Sequence, residues 1–179
     1  MNEQILLKKA RLELKGCSLF SVLNDGELEK LAALGIEKLY EPGAVIFNEG
    51  DTAQDLIVIQ EGRVVVQMTL PVAVASQLGR RITVDIVGEQ EVLGWSAVVE
   101  PYIYTLTAVC LQKVRVLAIN GSGLRDLLRN EANIGYQVLR GLTGVVASRL
   151  EDTRQVLVSE RLWAGSNLES EGRVRALKR

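Results

Sequence analysis

The chain of 179 residues contains no histidine. Histidine is the commonest general base of enzymes and a frequent ligand of zinc and haem. Its absence excludes Ser-His-Asp and Cys-His catalysis and histidine-based metal sites. The sequence also lacks paired carboxylates in a supporting context and the glycine-rich fingerprints of nucleotide-dependent enzymes. We therefore expect no catalytic residues, no metal site and no enzymatic activity.

Cysteine is scarce too. Cys17 and Cys110 are the two in the chain, and they form neither a CxxC pair nor a metal-spaced cluster. Free cysteines usually behave as small buried apolar residues. Because unpaired thiols are typical of a reducing compartment, we expect a cytoplasmic location.

Long apolar runs are missing as well, since none approaches the roughly 18 residues that a membrane-spanning helix needs. Residues 1–4 carry an acidic residue and no basic one, which differs from a secretory signal. The net charge is −1, so the chain as a whole shows no excess of positive charge for binding a nucleic acid. We expect neither a membrane nor a nucleic-acid partner.

The N-terminal part of the sequence has the spacing of helices. Residues 3–15 alternate leucines with charged residues in a way that predicts a short amphipathic helix. Asn24 and Glu27 have the spacing of a capping box, which predicts the start of a second helix. Gly35 is expected to end that helix.

The pattern changes to short β-rich runs separated by turn residues from about residue 36 to residue 119. Such runs, with glycine at the turns and no long helix between them, are typical of a sandwich or barrel. We therefore predict a mainly β fold with flanking helices. The predicted strands cover residues 36–40, 45–47, 56–60, 63–69, 81–87, 104–110 and 114–119.

The helical period returns after residue 120. A short helix is predicted from about Ser122, and a long amphipathic helix over residues 133–160. Residues 161–179 are polar, and we expect a poorly ordered tail there. The apolar stripe of the long helix exceeds what one small barrel needs to cover, which predicts a homodimer through this helix. The residues expected at the dimer contact are Leu139, Leu142, Val146 and Leu150.

Three glycines interrupt the long helix, namely Gly135, Gly141 and Gly144. Each costs about 1 kcal/mol relative to alanine, so each needs a reason. One explanation is the close approach of another backbone, such as a partner helix. The other is a bend between two helical pieces.

Several segments, in this order, resemble those of cyclic nucleotide-binding domains. They are Leu19-Phe20, Tyr40-x-Pro42-Gly43-x-x-Ile46-Phe47-x-Glu49-Gly50-Asp51, Leu56-Ile57-Val58-Ile59-x-x-Gly62, Gly88-Glu89, Leu93-Gly94-Trp95-Ser96-Ala97 and Thr107-Ala108-Val109-Cys110. The resemblance covers about residues 17–150 and implies a double-stranded β-helix, that is, a jelly-roll barrel. It implies one domain over residues 1–160, with the barrel at about 36–119 and the C-terminal helices at about 122–160.

The resemblance also implies where a ligand would bind. In this family a cyclic phosphate lies at the start of a short helix, where backbone N–H groups bind its oxygens. The segment from Gly94 to Ala97 is similar to that helix start, which the family calls the phosphate-binding cassette. The implied ligand-binding residues are Leu93, Gly94, Trp95, Ser96, Ala97, Tyr104 and Thr105, with Glu89 and Glu91 as further candidates.

The sequence departs from the family at the two charged positions of the cassette. Members that bind cyclic AMP or cyclic GMP have a glutamate for the ribose and an arginine for the phosphate. Here Trp95 follows Gly94, and Ile103 or Tyr104 stands where the arginine is expected. Residues 83–111 contain no lysine or arginine. A charge-assisted hydrogen bond contributes about 1.5–3 kcal/mol, so its loss weakens binding by roughly one to two orders of magnitude.

Several alternatives stay open for this site. Arg63 or Arg80 could supply a cation from elsewhere, and Glu89 or Glu91 could bind the ribose in a shifted cassette. The ligand could instead be a less anionic small molecule, or Trp95 and its neighbours could fill the pocket. The sequence therefore predicts a regulatory small-ligand sensor with a degenerate cassette, for cyclic AMP, cyclic GMP or another small ligand. The alternative is an interaction or dimerisation module that binds a protein partner and no ligand.

A transcription factor of the catabolite-activator type is disfavoured. Such a protein carries a helix-turn-helix domain after its long helix. The residues that follow residue 160 are too few for one.

Overall fold

The computed structural model describes the backbone of residues 3–70 and 80–176, and the side chains of these up to residue 158 except residues 3, 70, 80 and 156. The helices are α1 (Glu3–Gly16), α2 (Asp25–Ala32), α3 (Gly121–Asn130) and α4 (Ala132–Ala176), with a 3-10 helix at Trp95–Ala97. The strands are β1 (Gly35–Tyr40), β2 (Val45–Phe47), β3 (Asp55–Glu61), β4 (Val64–Leu70), β5 (Arg80–Val87), β6 (Val92–Leu93), β7 (Thr107–Cys110) and β8 (Val114–Asn120).

The strands of the described part form two four-stranded antiparallel sheets. Their orders are β1-β8-β3-β6 and β2-β7-β4-β5. Apart from the β4–β5 pair, hydrogen-bonded neighbours are not consecutive in sequence, so the chain passes repeatedly from one sheet to the other. This is the jelly-roll arrangement, and the predicted fold class of a mainly β domain with flanking helices is confirmed.

The central strands β3 and β8 of the first sheet are buried on both faces, which explains their long apolar runs, whereas the edge strand β1 is mostly exposed. Successive side chains of a strand point to opposite faces. In β3, Leu56 and Val58 join the core shared with the helices, while Ile57 and Ile59 point between the sheets. Full burial of one such side chain contributes roughly 1.5–3 kcal/mol.

Most predicted elements lie where the sequence placed them, and three differences have clear causes. Strand β6 was missed because it is only two residues long and is defined by its pairing with Ile57 and Val58. Gly35 does not end α2. It opens β1, where an added Cβ would lie 2.7 Å from the side chain of Leu117. Residues 104–106 precede β7, because the backbone of Tyr104 bonds to Gly50 and Asp51.

The capping box of α2 is formed as predicted. The side chain of Asn24 accepts from the backbone N–H of Glu27 at 3.0 Å, and the carboxylate of Glu27 accepts from the N–H of Asn24 at 2.9 Å. This satisfies two backbone donors that a helix start otherwise leaves without partners.

Helix α4 is one helix that runs to Ala176, well beyond the predicted end near residue 160. Contacts within the chain explain why two positions of this helix are glycine. A Cβ at Gly141 would lie 2.7 Å from Leu19 Cδ1, and one at Gly135 would meet the carbonyl oxygen of Leu128. Gly144 has nothing within 4 Å of an added Cβ. The close approaches are therefore made by the chain's own backbone and side chains, and neither glycine requires a partner helix.

One residue of the predicted dimer contact is buried within the domain itself. Leu142 is 3% exposed and belongs to the core that α4 shares with α1, α2 and the first sheet. It lies seven residues from Gly135 and one from Gly141, on the side of the helix that faces the domain. Leu139 and Leu150 are 50% and 69% exposed, so they lie away from this core.

Candidate functional site

The connection between β6 and β7 contains the predicted cassette and is called here the cassette segment (residues 94–106). Gly94 opens it with φ +72°, and the 3-10 helix Trp95–Ala97 follows. The N–H of Ala97 donates to the carbonyl oxygen of Gly94 at 2.9 Å. A Cβ at position 94 would lie 2.8 Å from the carbonyl oxygen of Asp55, so both conformation and space require glycine.

The end of the 3-10 helix is anchored by Arg125 of α3. Arg125 Nη1 donates to the carbonyl oxygen of Ala97 at 2.6 Å, and its guanidinium carbon lies 4.3 Å from the centre of the Tyr102 ring. The backbone N–H of Gly121 also donates to the backbone carbonyl oxygen of Gln54 at 2.7 Å. The cassette segment and the start of α3 are thus held against the same loop before β3.

Tyr104 is one of the two residues that stand where the resemblance places an arginine. It is 5% exposed, and its ring stacks on Phe47 with centroids 3.8 Å apart. Its hydroxyl donates to the carbonyl oxygen of Asp55 at 3.0 Å and accepts from the Asp55 N–H at 3.1 Å. Burial raises the pKa of Tyr104 above its ordinary value, so this wall of the site is neutral at physiological pH.

The cassette segment encloses a small cavity, called here the cassette cavity. Its volume is about 30 Å³, whereas pockets for small ligands usually measure about 300–1,000 Å³. A space of this size holds about one water molecule. It is lined by Phe47, Val66, Leu93, Gly94, Trp95, Ser96, Tyr104, Thr105, Leu106 and Arg149.

Six of the nine predicted ligand-binding residues line the cassette cavity: Leu93, Gly94, Trp95, Ser96, Tyr104 and Thr105. The other three do not. Ala97 is completely buried in the core between the sheets. Glu89 accepts from the N–H of Gly62 at 3.5 Å, and Glu91 accepts from the N–H of Gly88 at 2.6 Å. Both carboxylates thus contact nearby turns, and neither lines the cassette cavity, although Glu91 lines the neighbouring groove described below.

The cation of the cavity comes from a residue that the sequence reasoning missed. Arg63, one of the two proposed sources, is exposed and does not line the cavity. The side chain of Arg80 lies outside the described residues. Arg149 of α4 lines the cavity instead. It follows Leu142 by seven residues and Val145 by four, and this helical spacing was the signal that places it on the domain-facing side.

Two larger cavities adjoin the site. A lateral groove of about 500 Å³ lies beside α4 and is lined by Ser18, Leu19, Asp85, Glu91, Val92, Gly141, Gly144, Val145, Ser148, Arg149 and Asp152. An open cavity of about 410 Å³ contains Lys38, Tyr40 and Asp55 in its lining. Phe47 and Tyr104 line both this open cavity and the cassette cavity, so the stacked rings separate the two.

Three further expectations concern cysteines, metals and membranes. Cys17 and Cys110 are both buried and unpaired. Among the described residues, no group of three or more Asp, Glu or Cys side chains is arranged to hold a metal ion. No helix in the described ranges is both long and apolar enough to span a bilayer.

Comparison with known proteins identifies the family. The sequence model of the cyclic nucleotide-binding domain family matches residues 37–131, which are more than half of the chain. A Rhodopseudomonas palustris protein, assigned by name as a potassium channel protein, is 29% identical over 129 residues. These cover 70% of this chain but only 29% of that protein's length.

Solved structures agree with the family assignment. A Geobacter metallireducens protein, assigned by name as a cyclic nucleotide-binding protein, is 29% identical with a TM-score of 0.66, over 84% of this chain and 99% of that one. A cyclic nucleotide-binding domain from Methylobacillus flagellatus shares the fold with a TM-score of 0.70 at 18% identity, over 86% of this chain and 83% of that one. The chain described here belongs to the cyclic nucleotide-binding domain family.

Proposed function

We propose that this regulatory domain is a small-ligand sensor whose phosphate-binding cassette is degenerate. Domains of this family are regulatory and generally not enzymes, and we propose no catalytic role for the chain. The observation that carries the proposal is the neutral Phe47–Tyr104 stack, which occupies the side of a cavity of only about 30 Å³ where the arginine is expected.

The charges of the side chains that line the cavity indicate that a cyclic phosphate would bind only weakly. Tyr104 is neutral, and its hydroxyl is already bonded to the backbone of Asp55. Arg149, which lines the cavity, is paired with the carboxylate of Asp85. A phosphate entering the cavity therefore meets no free cation among the described side chains that line it. Without one charge-assisted bond, binding is weaker by roughly one to two orders of magnitude.

Calorimetric titration with cyclic AMP and then cyclic GMP, up to millimolar ligand, tests this proposal. We expect dissociation constants of about 100 µM for both, because the loss of one charge-assisted bond weakens a dissociation constant of about 1 µM by up to roughly two orders of magnitude. A dissociation constant near 1 µM would contradict a degenerate cassette. Complete absence of heat with both nucleotides would favour the second candidate function.

The second candidate is an interaction module that dimerises through α4. Seven residues of the helix are separated by alternating steps of three and four, which is the spacing of a two-stranded coiled-coil contact. We call this row the α4 seam: Tyr136, Leu139, Thr143, Val146, Leu150, Thr153 and Leu157. Its large apolar members Tyr136, Leu139, Leu150 and Leu157 are all more than 40% exposed. A second copy of the chain would bury them.

Sedimentation equilibrium of the wild type and two variants tests the seam. Leu150→Glu places a charge in the seam at a residue that is 69% exposed in the single chain, so folding is preserved. Gln155→Glu adds the same charge on another face of the same helix. We expect a dimer for the wild type and for Gln155→Glu, and a monomer for Leu150→Glu. A monomeric wild type at micromolar concentration, or an unchanged mass for Leu150→Glu, would exclude this contact.

A further inference from the structure

Arg149 lies where the cassette cavity and the lateral groove meet. It lines both spaces, and its side chain is only 14% exposed. Among the described residues that line either space, it is the one lysine or arginine. A guanidinium carries five N–H donors and no acceptor, so its partners decide its role.

Among the residues that the structure describes, the side chain of Arg149 has one partner. Its Nη1 donates to Oδ2 of Asp85 on β5, and the described residues provide no second acceptor. Its other side-chain nitrogens are therefore not fully buried, since no fully buried side-chain nitrogen in the described part lacks a partner. A largely buried guanidinium with one acceptor has the capacity for a second, and phosphate or carboxylate oxygens match its geometry best.

Asp85 is held in position to make this contact. Its Oδ1 accepts from the backbone N–H of Ile86 at 2.7 Å, which leaves Oδ2 for Arg149. The pairing of β4 with β5 is irregular here, because Val66 lies opposite Asp85 whereas Gln67 lies opposite Thr83. Such a bulge re-aims the side chains beside it. The bulge therefore explains how a carboxylate of β5 reaches α4.

We propose that Arg149 is the anion-binding residue of this domain and that the carboxylate of Asp85 pairs with its guanidinium when no ligand is bound. The inference rests on the proposed sensor function and names the regulation of that site. A ligand whose phosphate or carboxylate reaches the cassette cavity competes with Asp85 for the guanidinium. When it displaces Asp85, the bridge between β5 and α4 is broken, so ligand binding is passed directly to the helix.

The cavity volumes agree with this mechanism. The cassette cavity of about 30 Å³ is too small for a nucleotide, but the lateral groove measures about 500 Å³. Arg149 belongs to the lining of both, so an anionic group in the cassette cavity can contact it while the rest of the ligand lies in the groove, whose carboxylates Asp85, Glu91 and Asp152 favour an uncharged part of the ligand there.

Three variants test the separate roles of Asp85 and Arg149. Asp85→Asn removes the competing carboxylate and frees Arg149. Arg149→Gln removes the guanidinium and keeps a polar side chain. Arg154→Gln is the matched control, because Arg154 lies on the same helix, is 73% exposed and pairs only with Glu151 among the described residues. Circular dichroism melts establish that each variant is folded before titration.

The experiment is a titration of each protein with cyclic AMP, and of Asp85→Asn and the double variant Asp85→Asn/Arg149→Gln also with inorganic pyrophosphate. We expect Asp85→Asn to bind cyclic AMP about tenfold more tightly than the wild type, and Arg149→Gln about tenfold or more weakly. Arg154→Gln should match the wild type. In the double variant Asp85→Asn/Arg149→Gln, the gain should disappear.

The outcomes distinguish this inference from the sensor function. If cyclic AMP binds with the same affinity to wild type, Asp85→Asn and Arg149→Gln, the sensor stands and the role of Arg149 is overturned. If Asp85→Asn binds pyrophosphate through Arg149 but no protein binds cyclic AMP, Arg149 is an anion site and the nucleotide class is wrong. If Asp85→Asn binds neither probe, the anion site is overturned.

Discussion

The rings of Phe47 and Tyr104 lie face to face, with centroids 3.8 Å apart and planes 13° from parallel. The tyrosine hydroxyl bonds to both the N–H and the carbonyl oxygen of Asp55. We predict that Tyr104→Phe keeps the stack but destabilises the domain by about 1–3 kcal/mol, because two backbone groups lose their partner. Urea denaturation monitored by circular dichroism measures this change.

Tyr102→Phe is the control for that variant. The Tyr102 hydroxyl makes one long contact of 3.4 Å to Glu100, at an exposed site. Its loss should change the free energy of unfolding by no more than about 0.5 kcal/mol. Equal effects of the two substitutions would mean that the Asp55 contacts do not hold the cassette segment.

Gly94 and Gly43 allow conformation and space to be separated. Both have positive φ, +72° and +80°, but a Cβ at Gly94 would lie 2.8 Å from the Asp55 carbonyl oxygen, whereas one at Gly43 would meet nothing within 4 Å. Gly43→Ala should therefore cost only the backbone strain of about 1–2 kcal/mol. Gly94→Ala should cost clearly more. Denaturation midpoints of the two variants measure the difference, and equal midpoints would contradict a crowded cassette.

Periodicity and turn residues were enough to predict a mainly β fold with flanking helices, whereas the cassette residues were predicted from the resemblance to cyclic nucleotide-binding domains. Short strands with glycine turns gave seven of the eight strands, and the spacing of Asn24 and Glu27 gave the capping box. Six of nine predicted ligand-binding residues meet at one cavity. The strands and the capping box depend on local sequence, which explains why they could be predicted from residue patterns alone.

Features that depend on distant contacts could not be predicted. Glu89 was a candidate for the ribose, but its carboxylate contacts the backbone N–H of Gly62, which is 27 residues away in sequence, and does not line the cassette cavity. Arg149 reaches the cavity only because α4 folds back along β5. Leu142 fits the apolar stripe as well as Leu139 does, and only the docking of α4 decides which of the two is buried.

Alanine substitutions at Gly144 and Gly141 of α4 should change the stability of the domain in opposite directions. At Gly144 an added Cβ has nothing within 4 Å, so Gly144→Ala should stabilise the domain by up to about 1 kcal/mol through helix propensity. At Gly141 the Cβ would lie 2.7 Å from Leu19 Cδ1 and 3.2 Å from its carbonyl oxygen. Gly141→Ala should therefore destabilise it. Thermal denaturation of both variants tests the docking of α4, and the same sign for both would contradict it.

The thiol of Cys17 makes stability depend on alkaline pH. Burial raises the pKa of Cys17 from its ordinary value of 9.0 to about 11, partly opposed by hydrogen bonds from the backbone of Leu19 and Phe20. Between these values the unfolded chain loses the proton and the folded chain keeps it. The folded state then binds more protons, so stability falls as pH rises. Two pKa units correspond to about 2–3 kcal/mol.

The expected result is a contribution that is fully present below about pH 9 and is lost as pH rises towards 11. Cys17→Ala cannot titrate, so its free energy of unfolding should decline less steeply over this range than that of the wild type. Other groups with raised pKa, such as Tyr40 and Tyr104, remain in both proteins and cancel in the comparison. Urea denaturation at pH 8, 9, 10 and 11 measures the two slopes. Parallel curves would mean that water reaches the thiol and that the packing of Cys17 between α1 and the helical core is looser than its 1% exposure indicates.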